Sequence, residues 1–278
     1  MADPLSISLL RRLVRIPGFV RLWRKLPLGS VATRMRFDIS PRPAYAYGVH
    51  SAAVLASRLG LRELSVVELG VAGGRGLLEL ERLAAEIAPA VGVRIAVYGF
   101  DSGKGMPTPV DYRDLPHVWG EGFYQMDVEA LRRRLTSAQL MLGDVAQTVP
   151  AQIAAGTMPP VGFVAFDLDY YSSTKAAFRL FEGAPATRLP RVYCYFDDIC
   201  GPDIACMNEY VGELLAIREW NAEHERVKIS PILHLNTERP RPAMWNAKMY
   251  ALHDFAHPLY TRNVRPTGDA FPQKPLEG

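Results

Sequence analysis

The feature that most constrains this chain is an alternation, from Leu64 onward, of short apolar runs with longer segments of helical period. Such alternation predicts repeated βα units whose helices cover both faces of a doubly wound, mostly parallel sheet. The sequence therefore predicts an α/β fold with a Rossmann-like arrangement. The seven predicted strands are 65–69, 94–100, 139–142, 162–166, 192–196, 227–232 and 248–252.

Composition favours one globular domain with a substantial core, because the 278 residues are 49% hydrophobic and 22% charged. The formal net charge of +3 is small for this length and gives no reason to expect nucleic acid as a partner. The three cysteines form no Cys-x-x-Cys pair, which fits a reducing, cytoplasmic compartment. No apolar run approaches the roughly 20 residues of a spanning helix, so we expect a soluble protein.

We divide the chain into three parts by composition. Residues 1–61 are predicted to form a basic helical arm and cap, residues 62–262 the α/β domain, and residues 263–278 a tail rich in proline and glycine. The arm places arginines among apolar residues, which suits an anionic membrane surface on the inner face of the membrane. A helix packed on the domain, or on a second subunit of a homo-oligomer, has the same pattern. We favour packing, since Pro17 and Gly18 interrupt the helix.

A glycine-rich turn follows the first predicted strand. Glu68 ends the strand, and the glycines at 70, 73, 74 and 76 lead into a helix. Glycine allows backbone and ligand to approach closely, and the amino terminus of the helix suits an anionic group. A dinucleotide site requires Gly-x-Gly-x-x-Gly, which this spacing does not match. A tight βα turn without ligand is the alternative interpretation.

Acidic residues also follow the second and third predicted strands. Asp101 is placed to accept hydrogen bonds from the ribose hydroxyls of an adenosine. Asp144 is placed beside an adenine amino group, although a helix cap has the same signature. The long segment 102–127 between these strands has no clear period and is predicted to be a lid. Within it, His117 is a candidate general base.

Four aspartates follow the fourth and fifth predicted strands, namely Asp167, Asp169, Asp197 and Asp198. The carboxyl ends of parallel strands meet at one edge of a sheet, so these like charges are expected to lie close together and to require a cation or proton. Oxygen ligands of this kind suit Mg²⁺, which would lower the pKa of a bound hydroxyl. Helix capping by Asp169 and amide binding in a turn are the alternatives.

Taken together, these motifs resemble the macrocin-type sugar O-methyltransferases, magnesium-dependent members of the class I S-adenosylmethionine-dependent methyltransferases. The resemblance covers residues 64–201 and includes the segment from Asp167 to Thr174. It implies a seven-stranded sheet with the last strand antiparallel. It also implies metal ligation by Asp167, Asp197 and Asp198, with Asp169 as a substitute for Asp167. The cofactor residues that we predict with it are Glu68, Gly70, Gly74, Gly76, Asp101, Ser102 and Asp144.

The expected activity is the transfer of a methyl group from S-adenosyl-L-methionine to a hydroxyl of a sugar, glycan precursor or natural product. Asp167 and His117 are the predicted catalytic residues, and Asp169, Tyr170 and Tyr171 are predicted to contact the substrate. An NAD(P)-dependent oxidoreductase or epimerase is the alternative enzyme. A catalytically inactive scaffold at the membrane surface is the alternative outside enzymes.

Overall fold

A computed structural model describes residues 4–26 and 28–265 of the chain. It contains one mixed sheet of seven strands with helices on both faces. All seven predicted strands are confirmed, with end points that move by at most a few residues. The strands are β1 Glu63–Leu69, β2 Arg94–Asp101, β3 Gln139–Leu142, β4 Val161–Phe166, β5 Arg188–Phe196, β6 Val227–Pro231 and β7 Met249–Asp254.

The strand order is β3-β2-β1-β4-β5-β7-β6. Strands β1 to β5 pair in parallel, whereas β7 lies antiparallel to both β5 and β6, which confirms the predicted antiparallel last strand. The order reverses between β1 and β4, because β1 is followed by β2 on one side and by β4 on the other. A crevice opens at the carboxyl ends of the strands at such a switch point, which is where open α/β sheets bind ligands.

Ten α-helices connect and cover the strands within the described residues. Helix α5 follows the glycine-rich turn, and it buries the predicted apolar stripe that includes Leu77, Leu80 and Ile87. The helices are α1 Pro4–Leu13, α2 Phe19–Arg24, α3 Val31–Arg36, α4 Pro43–Arg58, α5 Arg75–Val91, α6 Val128–Arg134, α7 Val145–Ala155, α8 Tyr171–Ala177, α9 Gly212–Glu223 and α10 Leu235–Glu238.

Helix α4 packs directly on the sheet, although it precedes the predicted boundary at residue 62. The Tyr45 ring lies 5.7 Å from the Phe163 ring and 5.6 Å from the Tyr195 ring, each edge to face. Gly48 allows this close approach, since a Cβ atom there would lie 2.2 Å from the Phe163 ring. Helix α4 therefore belongs to the core and carries Tyr45 toward β1.

The amino-terminal arm is broken where the sequence predicted, with α1 ending at Leu13 and α2 beginning at Phe19. Its buried residues Val14, Val20 and Trp23 pack against Phe37 and Ile39. In the part of the chain that the structure describes, no helix combines the length and the hydropathy needed to cross a bilayer. Most of the predicted tail, residues 266–278, lies outside the described residues.

Candidate active site

A cavity of about 820 Å³ lies at the carboxyl ends of the strands, at the switch point of the sheet. It extends from the glycine-rich turn, past the 102–127 segment, to the ends of β4 and β5. The structure thus brings together all six aspartates that the sequence analysis predicted for the site. The predicted site residues that line the cavity are Gly70, Asp101, Ser102, Asp144, Asp167, Asp169, Asp197 and Asp198.

Gly70 allows the turn after β1 to pass close to the end of β4. Its φ of 84° lies in the left-handed region, and a Cβ atom at this position would lie 1.8 Å from the Asp167 carbonyl oxygen. Its amide donates to the Phe100 carbonyl at 2.9 Å, which ties the turn to β2 as well. Any side chain here would push the turn away from the strands that carry the aspartates.

The Asp101 carboxylate stabilises this turn through hydrogen bonds with backbone amides. One carboxylate oxygen accepts hydrogen bonds from the amides of Val71 and Ala72, each at 2.9 Å, and the other accepts from the amide of Gly103 at 2.7 Å. The neighbouring Ser102 hydroxyl donates to the Gly105 carbonyl at 2.7 Å and shapes the start of the lid. The predicted contact of Asp101 with a ribose stays a prediction.

Glu68 is buried beneath the turn and does not line the cavity. The Tyr45 hydroxyl donates to one of its carboxylate oxygens at 2.7 Å, and the other oxygen has no partner among the described residues. Burial raises the pKa of Glu68 to about 8, and the Tyr45 hydrogen bond opposes this increase. Gly74 and Gly76 also lie outside the cavity lining, and a Cβ atom at Gly76 would overlap the Glu68 carboxylate.

Asp144 lines the cavity and also caps helix α7. Its carboxylate accepts a hydrogen bond from the Ala146 amide at 2.8 Å. The capping role that the sequence left open is therefore present in the structure. The same carboxylate can cap the helix and accept a hydrogen bond from a ligand, because its second oxygen has no hydrogen-bond partner among the described residues.

The carboxylates of Asp167, Asp197 and Asp198 form the acidic cluster, in which one oxygen of each lies within 4.8 Å of the others. Burial raises the pKa of Asp167 and of Asp198, and neighbouring carboxylates raise both further. Repulsion of this kind is relieved by a shared proton or by a cation. Three carboxylate oxygens at this spacing are chemically suited to a hard divalent cation such as Mg²⁺.

Two further buried acids hold the acidic cluster in place. Asp169 has a positive φ of 58°, and its amide donates to the Asp198 carboxylate at 2.9 Å. The Asp198 amide in turn donates to the carboxylate of Glu213, which is fully buried in the first turn of α9. The predicted motif did not include Glu213, since only the packing of α9 brings it under the cluster.

Two cationic side chains also reach the acidic cluster. The Lys248 ammonium lies 3.1 Å from an Asp197 carboxylate oxygen and also donates to the Asp197 carbonyl. The Arg42 guanidinium packs 4.9 Å from the centre of the Tyr45 ring, and its charge lowers the pKa of Asp167. Neither residue could be predicted from the sequence, because each lies in a segment without a motif.

Three of the residues predicted for catalysis and substrate binding are also absent from the cavity lining. His117 lies in the lid but is exposed and is absent from the cavity lining. Tyr170 is fully buried, and Tyr171 donates its hydroxyl to Glu219 at 2.7 Å on the far side of α8. Helix α8 begins at Tyr171 and directs both rings into the packing, so their contact with a substrate stays a prediction without geometric support.

The lid contributes the apolar wall of the cavity. Met106, Trp119 and Tyr124 line it, and Met244 approaches from the segment before β7. The Trp119 indole nitrogen is buried and has no hydrogen-bond partner among the described residues. A buried donor without a partner is costly to the folded protein.

Comparison with solved structures establishes the fold. The crystal structure of CalS11, a calicheamicin methyltransferase, matches with a TM-score of 0.50 and 20% identity, over 91% of this chain and 94% of that chain. The fold is that of the class I methyltransferases. The O-methyltransferase NovP matches at 14% identity with a TM-score of 0.46, over 90% of this chain and 98% of that chain. No family model and no curated protein matches the chain.

In a class I methyltransferase fold, the turn after β1 and the end of β2 form one side of the ligand crevice, and the ends of β4 and β5 form the other. Here the first side carries the glycines and Asp101, and the second side carries the acidic cluster. The two sides share one cavity.

Proposed function

We propose that the protein is an S-adenosylmethionine-dependent O-methyltransferase that acts on a hydroxyl of a sugar, glycan precursor or natural product. The observation that carries this proposal is the single cavity that joins the glycine-rich turn to the acidic cluster. The class I methyltransferase fold and the name of CalS11, a calicheamicin methyltransferase, support it.

The donor side would hold the cofactor at the turn after β1. Gly70 gives the backbone room there, while Asp101 and Asp144 supply carboxylate oxygens on the cavity wall. Asp101 already accepts three amide hydrogen bonds, so its position does not depend on a ligand. Preorganised acceptors of this kind reduce the entropic cost of binding.

The acceptor side would hold the substrate hydroxyl at the acidic cluster. Asp167, Asp197 and Asp198 are the residues that would bind Mg²⁺. When bound, the cation would stabilise negative charge on the hydroxyl oxygen. We propose that Asp167 receives the hydroxyl proton, because its carboxylate lines the cavity at the position where the cation would hold the hydroxyl.

The chain itself would provide alignment and exclusion of water. Trp119 and Tyr124 of the lid face the aspartates across the cavity, and negative charge on those aspartates raises the pKa of Tyr124 after the contribution of burial. Tyr124 therefore shares the cavity wall with the acidic cluster and would contact a bound acceptor. Alignment of two reactants in a dry site supplies a large part of a transfer rate.

The structural contacts argue against the alternative oxidoreductase. Its catalytic pair would be Tyr171 and Lys175, which have the spacing Tyr-x-x-x-Lys. Both side chains instead contact Glu219 of α9, and neither lines the cavity. The scaffold alternative, membrane contact and homo-oligomer formation stay predictions.

Calorimetric titration with S-adenosylmethionine and with its demethylated product, each with and without Mg²⁺, tests this proposal. We expect micromolar binding of both molecules, and methyl transfer to a panel of hydroxylated sugars and phenols. NAD is titrated in parallel as the matched alternative. Binding of NAD without binding of either methionine derivative would replace the proposal with the oxidoreductase.

A further inference from the structure

A second cavity, of about 370 Å³, lies between the amino-terminal arm and the segment before β7. It shares no lining residue with the candidate active site. Four arginines line it, from chain segments more than 200 residues apart, and no acidic residue lines it within the described part of the chain. The arginines are Arg15, Arg21, Arg24 and Arg241.

Contacts with backbone carbonyls fix two of these arginines without neutralising them. Arg15 donates to the Pro240 carbonyl at 3.4 Å, and Arg24 donates to the Ile39 carbonyl at 2.9 Å. Each bond uses only the Nε atom, so the two terminal nitrogens of each guanidinium remain available. The positive charges are therefore held in place rather than paired.

The other two arginines make no hydrogen bond and no ion pair with any residue that the structure describes. Arg21 is exposed, whereas the Nε atom of Arg241 is buried without a partner. The nearby acid Asp38 is already paired with Arg239, which also donates to the Met35 carbonyl at 2.9 Å. The cavity thus keeps a surplus of positive charge.

The surplus charge is unfavourable for the protein alone. Burial lowers the pKa of Arg24 most, the like charge of Arg241 lowers it further, and the negative charges of Asp38 and Glu79 only partly offset these two effects. Guanidinium groups recognise phosphoryl oxygens in a bidentate manner, and several of them around one cavity match an anion with more than one negative charge. The arrangement is therefore suited to a bound anion.

We propose that this arginine-lined cavity is a binding site for a phosphoryl group, separate from the methyl-transfer site. The phosphoryl group can belong to a soluble phosphate ester or to a lipid headgroup. Ile16 lines the cavity and is 52% exposed, and Leu22, which follows the lining residue Arg21 in sequence, is 59% exposed. These apolar neighbours make the lipid source chemically compatible with the site.

The test uses the full chain and two double variants that each lose two positive charges. The cavity variant, R21Q with R241Q, removes the two arginines of the cavity that have no partner among the described residues. The control variant, R132Q with R179Q, removes two exposed arginines elsewhere. Sodium pyrophosphate is titrated by calorimetry at ionic strength matched with chloride. Vesicles containing phosphatidic acid are compared with vesicles of phosphatidylcholine alone in a sedimentation assay.

We expect pyrophosphate affinity to fall by about tenfold or more in the cavity variant and to stay within about twofold in the control. Parallel loss of vesicle binding would assign the group to a lipid, and loss of pyrophosphate binding alone would assign it to a soluble ester. Equal losses in both variants, or no binding by the native protein, would overturn the proposal.

Thermal unfolding of the cavity variant distinguishes a loss of the binding site from a loss of folded protein. Arg241 is repelled by Arg24 and attracted by the buried Asp38, so without anion its removal should leave the melting temperature close to that of the native protein. Methyl transfer should also be unchanged, since neither residue lines the candidate active site. A cavity variant that melts lower is replaced by the single variant R21Q, whose exposed side chain makes no described contact.

Discussion

The two ends of the main cavity both present carboxylates, but the chain treats them in opposite ways. At the glycine-rich turn, Asp101 accepts three amide hydrogen bonds, so donors of the chain balance its charge. At the ends of β4 and β5, one carboxylate oxygen of each of Asp167, Asp197 and Asp198 lies within 4.8 Å of the others, and burial and then neighbouring carboxylates raise the pKa values of Asp167 and Asp198.

The contrast shows that aspartates at one edge of a sheet can have different roles. An aspartate that accepts several backbone amide hydrogen bonds stabilises the fold, whereas aspartates that lack such donors are available for binding or catalysis. A carboxylate saturated by amides shapes the turn and offers only its remaining lone pairs to neutral hydroxyls. Crowded carboxylates leave negative charge that attracts a cation or a proton. Substitutions at the two ends should therefore have different readouts.

The largest effect is expected for Asp198→Ala in the acidic cluster. We expect turnover to fall by about a thousandfold or more, equivalent to about 4 kcal/mol in the barrier, while S-adenosylmethionine affinity stays within a few fold. Initial-rate kinetics and calorimetry measure the two quantities. The reason is that the substitution removes one of the three candidate cation ligands but leaves the turn after β1 intact.

Two companion variants separate chemistry from folding at this position. Asp198→Asn retains an oxygen that can accept the Asp169 amide, so it should fold like the native protein yet remain inactive. Asp203→Asn changes an exposed aspartate in the following loop and should be fully active. Full activity of either Asp198 variant would remove the cluster from the mechanism.

A smaller effect, on stability, is expected for Glu68→Gln under the turn. The raised pKa means that the folded protein binds more protons than the unfolded chain between the ordinary value of 4.5 and about 8. Native stability therefore falls as pH rises through this window, by about 1 kcal/mol per pH unit from this group. Glutamine cannot ionise and removes that contribution.

Thermal unfolding of both proteins from pH 5 to pH 8 measures this difference. We expect the Gln variant to gain stability relative to the native protein as pH rises, while the Tyr45 hydrogen bond is kept by the amide oxygen. The exposed Glu225→Gln serves as the matched control and should show no pH-dependent gain. A constant difference across the range would mean that Glu68 ionises normally.

The strands and the acidic cluster were predictable because both depend on local pattern and on one topological rule. Short apolar runs locate the strands, and parallel strands bring their carboxyl ends to one edge. Asp167 and Asp197 could therefore be placed together although 30 residues separate them. The same rule placed Asp101 and Gly70 on the opposite side of the crevice.

The remaining site residues depend on tertiary packing that no local pattern encodes. Lys248 reaches Asp197 only because β7 inserts between β5 and β6, and Arg42 reaches Asp167 only because α4 packs on the sheet. The converse holds for Tyr170, which lies within the motif from Asp167 to Thr174 but is fully buried where α8 begins. Proximity in sequence did not imply exposure to the cavity.

At the turn, Asp101→Asn should reduce both stability and cofactor affinity. Asparagine keeps one acceptor oxygen but faces an amide with its own donor group, so at least one of the three hydrogen bonds is lost. We expect about 1–3 kcal/mol of lost unfolding free energy. Urea unfolding measures it, and Asp203→Asn again serves as the control. Unchanged stability would show that the carboxylate is not what holds the turn.

The smallest effect is expected at Asp144, where capping and ligand binding coincide. Serine caps helices about as well as aspartate, whereas alanine costs about 1 kcal/mol. Asp144→Ser should therefore keep the melting temperature, and Asp144→Ala should lower it. If the free oxygen contacts the adenine amino group, both variants should bind S-adenosylmethionine about fivefold more weakly. Native affinity in the serine variant would reduce Asp144 to a helix cap, and it would leave Asp101 as the acid that both shapes the turn and faces the cofactor.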